Sequence, residues 1–316
     1  MDPRAAALTL LQRILLAVAA AIVIVDAAWA TAFHFDLDGK AYATLALLSA
    51  AMVAGGVFYT RYRRDERLST MLFGTAFLVV FSAAFSLLNY LLLTVAGPRI
   101  DWLLAKADRM LGIDWPALMA FMTGYPRIDA VLQFCYGSVM PQIAMLIIAL
   151  SFTGQCERVY RLCLSIAIGA MLTVFFWTAF PSFGAFSVYD LPPQVAAHLN
   201  LALDGHYAQE LKALLANGPG PISPTSAKGL VGFPSFHGAL AMLVAWYARE
   251  VKVLRWPVAA LNAVVLVATP IQGGHHVVDL LGGLAVAFAA IAATDRISAL
   301  APPAFTGIVR RTEIAA

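Results

Sequence analysis

The sequence predicts an all-α integral membrane protein with about eight transmembrane helices. Three observations carry that prediction. Of 316 residues, 61% are hydrophobic and only 12% charged, against roughly 45–50% and about 25% in soluble domains. Apolar runs near the length needed to cross a bilayer, about 20 residues, recur along the whole chain. Clusters of arginine and lysine separate every second pair of them. In lipid such runs must be helical, because backbone polar groups find partners only within the segment.

The elements follow in order. Span 14–33 is preceded by Arg4 and Arg13 and ends at AWA. A cleaved signal peptide over 1–30 would show the same pattern, although Asp26 just before the small residues argues against cleavage. Spans 42–60 and 70–96 are joined by RYRRDER at 61–67. Segment 97–127 mixes Trp, Leu and charge at helical spacing, as one or two helices lying in the interface would; a small soluble cap has the same composition. Spans 128–152 and 162–181 are separated by RVYR at 158–161. Loop 182–232 has proline and glycine near its ends and a helix pair expected between them. Spans 235–254 and 256–272 are expected to form a tight hairpin, parted by one or two residues at Arg255. Span 276–294 is the last. The organisation expected is N-terminal helices at 1–96, an exterior amphipathic segment at 97–127, a core at 128–295 that includes loop 182–232, and a cytoplasmic tail at 296–316.

Most of the 21 lysines and arginines fall on one face of this arrangement. The positive-inside rule makes that face cytoplasmic, with both termini. Segments 34–41, 97–127, 182–234 and the turn at QGGHH then lie outside. The setting expected is a bacterial inner membrane with those segments periplasmic. A net charge of +3, with no basic stripe carrying interleaved aromatics, excludes a nucleic-acid partner. Cys135, Cys156 and Cys163 show no paired metal spacing and no disulfide framework.

Chemistry concentrates in FPSFHGALAML at 233–243 and GGHHVVDLLGG at 273–283. Both place histidine at the head of an apolar run on the outer face. His275 and Asp279, four apart on a predicted helix, share one face. The carboxylate can hold one ring nitrogen and leave the other as nucleophile or base, the orienting arrangement of catalytic triads. His237 heads another helix and supplies a second proton-transfer group. Pro234 and Ser235 suit a helix start, and Gly273 and Gly274 let backbone approach a ligand. Two helix N-termini converging here would form an anion site, which points to phosphoryl transfer. Ionisable groups in spans are costly and functional by default. A zinc or iron site built on these imidazoles and the carboxylate is the rival chemistry. Tyr136, Gln133, Gln142 and Asn89 either line the cavity or bond helix to helix.

At these residues the chain resembles the type 2 phosphatidic acid phosphatase superfamily, whose signatures are Lys-x6-Arg-Pro, Pro-Ser-Gly-His and Ser-Arg-x5-His-x3-Asp. PSFH at 234–237 is similar to the second, and HHVVD at 275–279 carries the His-x3-Asp of the third. The run of histidines, with FPSFGAF at 180–186, looks most like the branch of inositol phosphotransferases and inositol phosphorylceramide synthase. The resemblance covers roughly 160–295. It implies a six-helix core with two helices in front, His275 as a nucleophile forming phosphohistidine, Asp279 orienting it, and His237 as acid and then base. It implies no cofactor and no metal. The family's arginine in the third signature is Thr269 here, and Lys-x6-Arg-Pro is missing between 181 and 233. Lys228, Lys212, His206 and His276 are the groups placed to substitute, Lys228 foremost, with Ser235 and Gly274 completing the expected substrate contacts. The function expected is a lipid phosphatase or phosphotransferase, leaning to headgroup transfer because missing cations suit a phosphodiester. A plain lipid phosphate phosphatase, and a lipid binder or transporter on the same scaffold, are the alternatives.

Overall fold

A computed structural model describes residues 3–202, 207–226 and 228–300. Every regular element among them is helical, and one isolated bridge pairs Leu37 with Ile222. Helices α1 (Pro3–Ala32), α2 (Gly39–Phe58) and α3 (Glu66–Leu92) come first. Aspartates start two of them: Asp38 accepts from the Ala41 N–H at 3.0 Å, and Asp65 accepts from Arg67 and Leu68 N–H at 3.0 and 3.1 Å. Such caps satisfy donors that a first helical turn leaves unpaired.

Segment 97–127 folds as two short helices, α4 (Asp101–Met110) and α5 (Trp115–Met122). On α4 the buried stripe is Asp101, Leu104, Ala105 and Asp108, the i, i+3, i+4, i+7 face of one helix. Trp102, Leu103 and Met110 lie exposed on the other side.

The predicted span 128–152 is broken. Helices α6 (Pro126–Gly137) and α7 (Val139–Phe152) meet at 47°. The cause is local. Pro141 cannot donate to Gly137, its ring crowds that carbonyl, and the Ser138 Oγ donates to the Cys135 carbonyl at 2.6 Å. The bend turns Tyr136 toward the interior. Helix α8 (Cys156–Ala179) is long and largely buried. Loop 182–232 carries the expected helix pair as α9 (Pro193–His198) and α10 (Tyr207–Asn217).

The last three helices are α11 (Phe236–Ala248), α12 (Arg255–Gln272) and α13 (Val277–Ala299). The expected tight turn at Arg255 is instead residues 249–254. Arg249 stays out of α11 with its guanidinium 3.3 Å over the Trp246 ring, and Glu250 pairs with Arg158 and Arg249. Helix α11 has 13 residues, about 20 Å at 1.5 Å per residue, shorter than a bilayer core of about 30 Å.

All eight predicted runs are therefore helical, but among the described residues five helices are long and apolar enough to cross a membrane, six if the bent α6–α7 pair counts as one span. The protein is an integral membrane protein by that measure. Helices α11 and α13 approach through small residues: a Cβ on Gly283 would sit 2.3 Å from the Ser235 carbonyl. Close backbone approach of this kind drives helix association where lipid supplies no hydrophobic force. Ion pairs Arg158–Glu250 and Arg161–Asp295 gather the basic loops at one end of the bundle. Both histidine motifs, α4, α5 and the described residues of loop 182–232 occupy the other end. The tail beyond Leu300, with Arg310 and Arg311, lies outside the described residues.

Candidate active site

Helix α13 begins at Val277, so His275 precedes the helix and His276 is its N-cap residue. The His275–Asp279 pair expected on one helical face is in fact made across the helix start. Its geometry still serves: His275 Nδ1 lies 3.2 Å from Asp279 Oδ2, and the same oxygen accepts from the His276 N–H at 2.9 Å. A proton on Nδ1 leaves the Nε2 lone pair available. Asp279 is fully buried.

His237 sits in the first turn of α11. Ser235 caps that helix, its Oγ accepting from the Gly238 N–H at 3.2 Å while its own N–H donates to the Asp279 carbonyl at 2.9 Å. The His237 ring stacks on Tyr136, centroids 4.3 Å apart and planes at 12°. His237, His275, Gly273, Tyr136 and Lys228 line one cavity of about 650 Å³. Away from the histidines it continues between α3 and α7, past Leu78, Val79, Ile143 and Ile147. One end is thus polar and the other apolar.

Other expected contacts take different positions. His276 is wholly buried, off the cavity, with Nδ1 3.6 Å from Asp108 Oδ2. Gly274 has φ +61, and its carbonyl accepts from the Ala185 N–H at 2.6 Å. Ser235 is buried in its capping role. Lys212 pairs with Asp190 at 2.9 Å on the exposed surface. Lys228 lines the cavity and pairs with Glu210. His206 lies outside the described residues. Thr269 bonds back to the Val265 carbonyl at 2.8 Å and carries no charge to the site. Asn89 also lines the cavity, whereas Gln142 bonds Asn262 across helices at 2.6 Å.

The anion site expected from two open helix N-termini is half closed. Asp108 accepts from Val277 and Val278 N–H at 2.9 and 3.0 Å, so a carboxylate of α4 caps α13. Burial alone would raise the Asp108 pKa; the His276 ring beside it and the two N–H groups outweigh that and hold it below its ordinary 3.8. A depressed pKa means that the cap is complete above that ordinary value and is lost as pH falls through the lowered one. Asp108→Ala is expected to cost about 1–2 kcal/mol, read as a fall of about 2–5 °C in the unfolding midpoint in detergent at pH 7. An unchanged midpoint would deny the capping role.

Asp101, two helical turns earlier, holds the loop after α8. Its Oδ1 accepts from Ser182 Oγ and from the Phe183 and Gly184 N–H at 3.0, 2.7 and 3.1 Å, while Arg99 binds Oδ2 at 3.0 Å. The last turn of α12 is held in the same way: Trp115 Nε1 donates to the Pro270 carbonyl at 2.8 Å and Gln272 Nε2 donates to Asp129 Oδ1 at 2.6 Å. Sequence reasoning missed Asp101, Asp108 and Asp129. The signal for the first two was their seven-residue spacing on the apolar stripe of α4.

A family model described as the PAP2 superfamily matches residues 102–293. The chain belongs to the PAP2 superfamily. No curated protein and no solved structure matches it. The PAP2 match reaches back from the histidine motifs to residue 102, so Asp108 on α4 and Trp115 on α5 fall within it, Asp101 lies one residue before it, and α1–α3 precede it. A PAP2 protein with these apolar helices is a membrane enzyme of the phosphatase or phosphotransferase type.

Proposed function

We propose that the protein moves a phospho-headgroup between lipids through a phosphohistidine on His275, in the manner of the inositol phosphotransferase branch. The observation that supports this most is one cavity that joins His275, its Asp279 partner and His237 to an apolar slot between α3 and α7. The Nε2 of His275 attacks phosphorus, and the leaving alcohol takes its proton from His237. The neutral His237 then accepts the proton of the incoming hydroxyl as that oxygen attacks and the P–N bond breaks. Asp279 holds the His275 tautomer and stabilises the charged ring. Tyr136 keeps the His237 ring in plane. Among the described residues lining the cavity, Lys228 is the one lysine or arginine. A diester carries less charge than a monoester and needs fewer cations in the transition state, which favours transfer over monoester hydrolysis. The site faces the outer leaflet in this reading, because the basic loops gather at the opposite end.

The test is to trap the intermediate. Purified protein is incubated with phosphatidylinositol or phosphatidic acid labelled in phosphorus and quenched in alkali, where phosphohistidine survives. Label on wild type from the diester, absent from His275→Ala, is the expected result. Label from the monoester alone, released as free phosphate, would make the protein a plain phosphatase. No label from either lipid would overturn the mechanism.

Among the described residues no group of three or more His, Cys, Asp and Glu is placed to hold a metal. Turnover is therefore expected to change less than twofold after prolonged dialysis against EDTA and phenanthroline. Loss restored by zinc or iron would favour the metal reading.

A further inference from the structure

A second chamber of about 500 Å³ lies beside the first, under α10 and the segments 219–226 and 228–230. Tyr207, Lys228 and Leu230 line both. The partition between them is built, not incidental: Lys228 pairs with Glu210, its N–H donates to the Tyr90 hydroxyl at 3.0 Å, and the Tyr207 hydroxyl donates to the Gly229 carbonyl at 2.9 Å.

The far wall of the chamber is held by chain that precedes the family match. Ile222 exchanges hydrogen bonds with the α1–α2 loop, its N–H donating to Asp36 at 2.9 Å and its carbonyl accepting from Asp38 at 3.0 Å. Ser223 Oγ donates to Asp38 Oδ2 at 2.9 Å. Tyr90 comes from α3. The chamber thus joins this chain's own N-terminal helices to the shared core. Its lining is amphiphilic, with Leu211, Leu214 and Ile222 beside Tyr90, Glu210 and Ser223.

We propose that this chamber is the acceptor subsite, and that it takes a neutral lipid alcohol whose hydroxyl reaches the phosphohistidine past the Lys228–Glu210 pair. The inference rests on the transferase reading above. Transfer between lipids makes the leaving alcohol and the acceptor members of one chemical class. In a single slot the acceptor can enter only after the leaving alcohol has gone, and return of the headgroup to that alcohol competes with transfer. Two chambers meeting at one partition keep leaving group and acceptor apart. In the transfer step the acceptor oxygen forms a P–O bond as the P–N bond to His275 breaks. The bond pair returns to the ring nitrogen and the hydroxyl proton goes to His237. No further reactant is needed.

The experiment uses full-length protein in mixed micelles with phosphorus-labelled phosphatidylinositol, and offers dioctanoylglycerol or glycerol as acceptor. The readout is the ratio of transfer to hydrolysis. Gly220 lines the second chamber, and a Cβ there meets nothing within 4 Å, so Gly220→Trp can fill the chamber without displacing backbone. It is expected to lower the ratio for dioctanoylglycerol at least tenfold and that for glycerol less than twofold. Glu210→Gln, which loosens the partition, is expected to raise the KM for dioctanoylglycerol at least fivefold. If wild type transfers to dioctanoylglycerol and neither variant changes the ratio or the KM, the chamber is not the acceptor site and the proposed function stands. An equal fall for both alcohols would also overturn a lipid-specific site. Label on His275 with hydrolysis alone, and no transfer to either alcohol, would overturn the transferase reading itself.

Discussion

His275→Ala is expected to lower turnover by about 10⁴-fold or more, the scale on which loss of a nucleophile acts, and to abolish alkali-stable labelling. The argument is geometric. His275 is the cavity-lining imidazole whose Nδ1 is held by a buried carboxylate, leaving Nε2 to react. His237 has a stacked tyrosine but no carboxylate partner among the described residues. Asp279→Asn separates the carboxylate's charge from the attacking group. One Asp279 oxygen now accepts from both the His275 ring and the His276 N–H. An amide oxygen in the place of Oδ2 can still accept both bonds, and Oδ1, which the NH₂ would replace, has no hydrogen-bond partner among the described residues. What is lost is the negative charge that stabilises the cationic ring. Turnover is expected to fall about 10²–10⁴-fold, as when a triad loses its orienting carboxylate, with residual label still on His275. Single-turnover labelling of both variants, beside their unfolding midpoints, is the measurement. Near-wild-type labelling of His275→Ala would end the assignment.

Gly184→Ala is expected to be the most damaging small change outside the histidines. Gly184 has φ +83 and ψ −175, a region that is essentially glycine's alone. A Cβ there would lie 2.4 Å from the Gly274 carbonyl oxygen. That atom is backbone and already receives the Ala185 N–H, so it cannot move without carrying His275 with it. A stability loss of about 3 kcal/mol or more is expected, together with a fall in turnover of at least 100-fold. Gly112→Ala is the control: its φ is +78, but open space surrounds the added Cβ, so only backbone strain of about 1–2 kcal/mol applies. Chemical denaturation and turnover measured on the two variants together decide the matter. Equal effects would show that the contact between loops 181–186 and 273–276 does not support the site.

The helices, the end of the bundle that carries basic charge and the three residues proposed for catalysis were all legible in the sequence. Apolar runs and charge clusters are local patterns, and lipid leaves a helix as the conformation that satisfies the backbone. His237, His275 and Asp279 were legible because each motif keeps its chemistry within a few residues of a helix start. Span lengths were less legible. Arg249 and Glu250 stop α11 through contacts with Trp246 and Arg158, and hydropathy does not register such contacts. The cation expected to bind phosphate, Lys228, has Glu210 as its partner across loop 182–232. What only the tertiary structure decided is which polar groups meet across large separations. Asp108 caps a helix 169 residues away, and Asp101 holds a loop 81–83 residues away. A buried carboxylate is stable where donors converge on it, and that convergence belongs to the packing of α4 against the ends of α8 and α13, not to any period along the chain.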